Sequence, residues 1–221
     1  MITEPVSATL DLAARVLLAY LAGSLSGALL VGRFYGIDIR TQGSGNAGGS
    51  NALRTQGWRF ALPVVLVDLG KGVLTAALIA PVWAASWPVF DLSWRQAAAG
   101  IAAVAGHIWP LYFGGRGGKG AATAAGVAGA LLPAVVLPLA ALWIATFLIS
   151  GYASLATLLA MAGLWPLLVW LGPAPLPTAW HALAGALLLL IVYTHRANIE
   201  RLAAGREARF RRPFQRRSPP A

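Results

Sequence analysis

Long apolar runs alternate with short polar segments along the chain, at about 12–32, 60–88, 96–113, 121–149, 154–171 and 180–194. A helix needs ~20 apolar residues to cross a bilayer, and most of these runs approach that length. From 121 to 194 there is no Asp, Glu, Lys or Arg, and His181 is the only side chain there able to carry charge. A water-exposed fold does not tolerate such a stretch, whereas bilayer-buried helices require it. The run at 12–32 reads as a retained span, because Glu4 and Asp11 precede it where a cleaved leader would be basic.

The fourth run, 29 residues at 121–149, allows either one long tilted helix or two short ones broken around Pro133. Charge arbitrates between them. Lys and Arg gather in 33–59, in 116–119 and in the carboxyl-terminal tail, so all three segments are expected on the cytoplasmic side. An even number of crossings must then separate 116–119 from the tail, and the fourth run crosses twice. The expectation is an all-α polytopic membrane protein of about seven transmembrane helices, amino terminus outside and carboxyl terminus cytoplasmic. Two helices of about 14 residues span only ~21 Å each, so a re-entrant pair is the competing description. Trp83, Trp87, Trp94, Trp170 and Trp180 fall on the opposing side, as an outer interfacial belt would.

Composition agrees: 58% of residues are apolar, 11% are charged, and the mean hydropathy is positive. The formal charge of +10 does not point to nucleic acid, because eight of the seventeen basic residues lie between 196 and 217, directly after the last apolar run. That is a juxtamembrane anchor. Residues 196–221 read as the basic cytoplasmic tail of a single membrane-embedded domain covering 1–221. Cysteine is absent, which excludes disulfides, thiolate metal sites and a thioester intermediate on the protein.

The chemistry lies in the polar segments. The first holds Gly43, Ser44, Gly45, Asn46, Gly48, Gly49, Ser50, Asn51 and Arg54. Glycines expose backbone amides, the Ser and Asn side chains add neutral donors, and arginine offers a bidentate fork for phosphate oxygens. A plain Gly/Ser linker needs neither the arginine nor four polar side chains. The second segment runs from Gly106-His107 to Arg116-Gly117-Gly118-Lys119-Gly120, with Thr123 one helical turn after Lys119. It lacks Walker spacing, so ATP hydrolysis is not expected. Lys119 and Gly120 precede an apolar run and are expected to open a helix whose amino-terminal amides favour an anion. A tight turn carrying positive-inside charge is the competing reading. His107 is either a satisfied structural histidine or a group that binds phosphate or moves a proton. The third segment, His195, Asn198 and Arg201, follows an i, i+3, i+6 stripe, where a polar helix cap is the alternative. Asp68 and Lys71 stand i, i+3 inside the second run, close enough to pair and support a site.

Such a site is rich in anion donors and poor in carboxylate, thiol or metal-ligand clusters, so it suits group transfer involving a phosphorylated compound, without metal or cofactor. A carrier of an organic phosphate is the alternative, but it predicts deep basic residues and an internal repeat, and neither stands out.

The ordered motifs resemble those of the bacterial membrane glycerol-3-phosphate acyltransferases that use acyl phosphate as donor. They are Gly43-Ser44-Gly45-Asn46 with Asn51 and Arg54, Asp68 with Lys71-Gly72, Gly106-His107 with Pro110, and Gly117-Gly118-Lys119-Gly120 with Ala122 and Thr123. Tyr152 with Ser154-Leu155-Ala156, then His195 with Asn198, Ile199, Arg201, Leu202, Gly205 and Glu207, complete the series. The resemblance implies transfer of a fatty acyl group from a long-chain acyl phosphate to glycerol-3-phosphate. The products would be lysophosphatidic acid and inorganic phosphate, made at the cytoplasmic face of the bacterial inner membrane among membrane lipids. It implies catalytic roles for Arg54, His107, Lys119 and Asn198. Gly43, Ser44, Gly45, Asn46, Asn51, Gly117, Gly118, Gly120, Thr123, Ser154 and His195 would hold substrate, with Asp68, Lys71 and Arg201 in support. Four positions depart from the pattern: Gly49 and Ser50 stand for alanine and threonine, Gly151 for a frequent arginine, and Leu25 for a common proline. The His-x4-Asp motif of acyl-CoA enzymes has only a loose counterpart in His195 and Glu200, so acyl-CoA is the less expected donor.

Overall fold

The computed structural model describes residues 4–81 and 91–210, and all regular structure within them is helical. The first apolar run forms two helices, α1 (Glu4–Gly23) and α2 (Gly27–Tyr35), rather than one. At the break, Ser24 turns its hydroxyl back onto the Tyr20 carbonyl at 2.8 Å, a local bond that competes with the helical ladder. A short helix α3 (Gly49–Gln56) leads into α4 (Trp58–Leu74), which continues as a π-helical turn, Thr75–Ile79. Helix α5 (Leu92–Ile108) follows.

The fourth run breaks at Pro133, as its sequence suggested. Helix α6 (Ala121–Leu131) stops where Leu132 turns extended ahead of the proline, and α7 (Val136–Ser150) restarts beyond a 3-10 turn. Helix α8 (Ala153–Leu171) is followed by α9 (Thr178–Thr194), and α10 (Arg196–Ala203) leaves it at a 62° bend. Among the described residues each apolar run is thus mainly helical. Four helical stretches among these residues are long and apolar enough to cross a membrane: Ala8–Tyr35, which holds the break between α1 and α2, Trp58–Ile79, Pro133–Ser150 and Ala153–Leu171. The bent α9–α10 pair makes a fifth. Spans of this number, length and composition make this a multi-pass membrane protein.

The main core is built from α5, α6, α8 and α9, around Val104, Val127, Leu164, Leu183 and Leu187. Trp180 packs into this core instead of standing in an interfacial belt; Trp94 and Trp170 are exposed, while Trp83 and Trp87 lie outside the described residues. Helices α4 and α6 touch backbone to backbone. A Cβ placed on Gly72 would come within 2.2 Å of the Thr123 carbonyl oxygen, and one on Gly126 within 2.1 Å of that of Leu69. Small residues permit this approach, on which dispersion between membrane helices depends.

Polar groups inside the bundle are paired across helices. Asp68 and Lys71 meet at 3.0 Å, as their spacing predicted. They also close the break in the first span: the Gly27 amide donates to Asp68 Oδ1 at 3.1 Å, and Lys71 Nζ donates to the Leu25 carbonyl at 3.1 Å. His107 Nδ1 lies 2.8 Å from Lys71 Nζ and 3.2 Å from Asp68 Oδ1, which brings α5 into the same cluster. Nδ1 thus faces a donor, the Lys71 ammonium, and an acceptor, the Asp68 carboxylate, at once. Arg15, also buried, is held by Asp11 and by the Ile79 and Ala80 carbonyls.

Replacing Asp68 by alanine leaves a buried ammonium and a helix-terminal amide without their acceptor. We expect a loss of ~3–5 kcal/mol, read as a lowered unfolding midpoint in detergent; a loss under ~1 kcal/mol would show that the cluster is not structural.

Candidate active site

The three polar segments converge at one end of the bundle on a cavity of about 1470 Å³. Gly43, Ser44, Gly45, Asn46, Asn51 and Arg54 line it from the first, Gly117, Lys119 and Gly120 from the second, and His195, Asn198 and Arg201 from the third. Asp68, His107 and Ser154 reach it from α4, α5 and α8.

Each loop is shaped by bonds that decide which donors remain. Asn51 accepts from the Ser44 amide at 2.9 Å and donates to the Gln42 and Ile39 carbonyls at 2.9 and 3.2 Å. Its side chain therefore builds the first loop instead of offering a spare donor. In the second loop the Gly117 and Gly118 amides donate to the Ile108 and His107 carbonyls, both at 3.1 Å. Those amides cap α5 and are not available to an anion, contrary to the sequence expectation. Gly118 lies off the cavity, with its backbone against the His107 ring: an added Cβ would come within 2.1 Å of Nε2. Thr123 departs too, being fully buried at the α4–α6 contact, away from the cavity, with no hydrogen-bond partner for its hydroxyl among the described residues. What the second loop does present is Lys119, then Gly120 at φ +90°, immediately before the amino terminus of α6.

The third segment docks onto the second. Thr194 Oγ1 donates to the Lys119 carbonyl at 3.0 Å, and Lys119 Nζ donates to Asn198 Oδ1. His195 Nδ1 lies 2.8 Å from the Ile191 carbonyl, which can only accept; the proton is on Nδ1, and in the neutral ring Nε2 is an acceptor. Glu207 gathers the remaining donors: Asn198 Nδ2 at 2.6 Å, Arg201 Nε at 2.7 Å and Ser154 Oγ at 2.8 Å. Burial works against its charge, yet these bonds hold its carboxyl below the usual carboxylate range. Burial first, then the cations Arg201 and Arg54, push the Lys119 ammonium down to about 8, with Glu207 opposing them. Two acids line the cavity, Glu207 and an Asp68 already paired with Lys71, among five cations, leaving a net demand for an anion.

Away from these loops the cavity turns apolar. Leu62, Val65, Leu69 and Val73 of α4 face Ala122, Ala125, Gly126 and Gly129 of α6, with Leu139, Trp143 and Ile144 of α7 and Met161 of α8 along the sides. Sequence reasoning passed over this groove. Its one legible sign is the spacing of the small residues at 122, 125, 126 and 129, a single helical face. Glu207 was seen only as part of the resemblance; Arg116, a member of the second polar segment, lines the cavity, as does Arg40, which carried no distinguishing signal. Glu200 is exposed and not part of the lining, so no pair with His195 forms there. Among the described residues no three His, Asp or Glu side chains group as metal ligands.

Residues 13–205 match the family model described as glycerol-3-phosphate acyltransferase. The chain belongs to the glycerol-3-phosphate acyltransferase family. It is 47% identical over 196 residues to the glycerol-3-phosphate acyltransferase of Pseudomonas paraeruginosa, covering 88% of this chain and 97% of that one. The glycerol-3-phosphate acyltransferase of Azotobacter vinelandii is 46% identical over 197 residues, with the same coverage. Among solved structures, the glycerol 3-phosphate form of PlsY (YgiH), an integral membrane glycerol 3-phosphate acyltransferase, superposes with a TM-score of 0.81 at 36% identity, over 90% of this chain and 95% of that one. The lysophosphatidic acid form of the same protein gives 0.80 at 35%, over 91% and 96%.

Sulfate, whose charge is constant between pH 7 and 9, probes the cation cluster without chemistry. Lys119 is charged below about 8 and neutral above it, so sulfate affinity by calorimetry should fall as pH rises through that value. The fall should vanish in Lys119→Met; a wild-type profile flat to pH 9 would contradict the assigned environment.

Proposed function

We propose that this protein transfers a fatty acyl group from acyl phosphate to the sn-1 hydroxyl of glycerol-3-phosphate, releasing lysophosphatidic acid and inorganic phosphate. One observation carries the reading: a single cavity joins a cation-rich polar end to a long apolar groove between α4, α6, α7 and α8. This is the shape that two phosphorylated substrates, one with an acyl chain, require. The reading places seven crossings in the bacterial inner membrane, with α6 shielded by its neighbours, the amino terminus outside and the site on the cytoplasmic face.

The acyl chain lies in the groove, with its mixed anhydride at the polar end. Arg54, Lys119 and the amides opening α6 bind phosphate oxygens, with Ser44, Gly45, Asn46 and His107 beside them. Glycerol-3-phosphate sits toward Ser154, His195 and Asn198. Glu207 holds Asn198, Ser154 and Arg201 in register, and His195 Nε2 accepts the hydrogen bond of a glycerol hydroxyl.

The glycerol hydroxyl oxygen then attacks the acyl carbonyl carbon. A new ester C–O bond forms, the bond from that carbon to the phosphate oxygen breaks, and the departing phosphate takes the hydroxyl proton. The donor is already activated, so the protein's work is alignment and charge stabilisation.

Purified protein given glycerol-3-phosphate with palmitoyl phosphate should form lysophosphatidic acid and phosphate; with palmitoyl-CoA it should not. Product from the CoA ester alone would overturn the donor, and no product from either would favour carriage of an organic phosphate. Arg54→Ala and Lys119→Ala should each lower turnover by at least about tenfold, with near-normal rates removing the residue from the site.

A further inference from the structure

Arg54 stands apart from the other cations of the site. It is exposed on the short helix α3, and among the described residues no carboxylate lies within ion-pair distance of it. Its recorded contact comes from 156 positions further along the chain: the guanidinium lies over the Phe210 ring, 4.6 Å from the centroid.

Phe210 is itself fastened. Its amide donates to the Gly151 carbonyl at 2.9 Å, and its ring meets the Phe147 ring edge-on at 5.2 Å. Phe147 in turn stacks at 5.1 Å on Trp143, which lines the apolar groove. The neighbouring Arg209 lies 4.8 Å over the Tyr152 ring, and Glu207 binds Ser154, Asn198 and Arg201. Residues 207–210 thus run as a strap from α10 across the start of α8 and the end of α7 to Arg54.

A guanidinium stacked on a ring uses its face and keeps its N–H donors, which lie in the plane of the group, free for a bidentate anion. A carboxylate in the same place would have consumed those donors and cancelled the charge. We propose that Phe210 is a positioning residue, holding Arg54 in the orientation that receives a substrate phosphate. This rests on the acyltransferase reading above. The strap gives a mobile side chain on an exposed helix the preorganisation that Lys119 obtains from Asn198.

The test compares Phe210→Leu, which keeps apolar bulk without a π face, with Phe210→Trp and Phe210→Tyr, which keep the face. KM and kcat are measured for glycerol-3-phosphate and for acyl phosphate, alongside unfolding midpoints. Phe210→Leu should raise the KM of whichever substrate places its phosphate at Arg54 by about three- to tenfold. Arg54 is still present and engages once substrate is bound, so kcat should change less. Trp and Tyr should restore the wild-type value. In an Arg54→Ala background the Leu substitution should add nothing, since the ring then has no cation to hold. Should Leu not be tolerated, Phe210→Met replaces it.

Wild-type KM in Phe210→Leu, a defect in the ring-bearing variants equal to that in Leu, or additive losses with Arg54→Ala would each overturn the proposal while leaving the acyltransferase reading intact. Failure of the wild-type protein to acylate glycerol-3-phosphate would remove the reading and this inference with it.

Discussion

Burying a carboxylate and an ammonium inside a membrane protein is tolerable only when each is paired and every remaining valence is met. The Asp68–Lys71 pair meets that condition by joining three elements. It accepts the first amide of α2, donates to the Leu25 carbonyl within the break and contacts His107 on α5. A helix interrupted in mid-span exposes backbone groups that lipid cannot satisfy; here a neighbouring helix satisfies them. The same cluster fixes His107, and the ring of His107 packs against Gly118, one residue before Lys119. The position of the site's lysine is thereby tied to an ion pair inside the bundle.

Around the cavity, charge is arranged to remain unbalanced. Burial first, and then repulsion from Arg201 and Arg54, depress the ammonium of Lys119, while Glu207 works against them. That acid is committed to Asn198, Ser154 and Arg201, so it organises the site without neutralising Lys119 or Arg54 by direct contact. A site kept short of negative charge binds a dianion without first having to expel its own carboxylate. The Arg54–Phe210 stack follows the same logic with a neutral partner.

The groove follows from how closely α4 and α6 approach. Glycines at 72 and 126 let the two backbones touch on one side, and the small residues of α6 leave the other side hollow beneath Trp143 and Met161. The break at Pro133 redirects the chain so that α7 covers that hollow instead of continuing α6 past it. An irregular backbone point thus leaves an apolar hollow beside the polar end.

Much of this was legible in one dimension. Residues 121–194, without a Lys, Arg, Asp or Glu, had to be membrane helices; Pro133 marked where one of them could break; and Asp68 and Lys71 at i, i+3 were placed to pair, because each follows from local geometry and the cost of burying charge. The glycine and basic clusters declared an anion site by residue type alone. Tertiary structure decided which members face it. Thr123, Gly118 and Asn51 carry the right chemistry, but helix contacts and backbone carbonyls claim them, whereas Glu207 and the apolar face of α6 enter the site from positions that no local pattern selects. Residue type sets what a side chain can bind, but only the packing of distant segments sets what remains for it to bind.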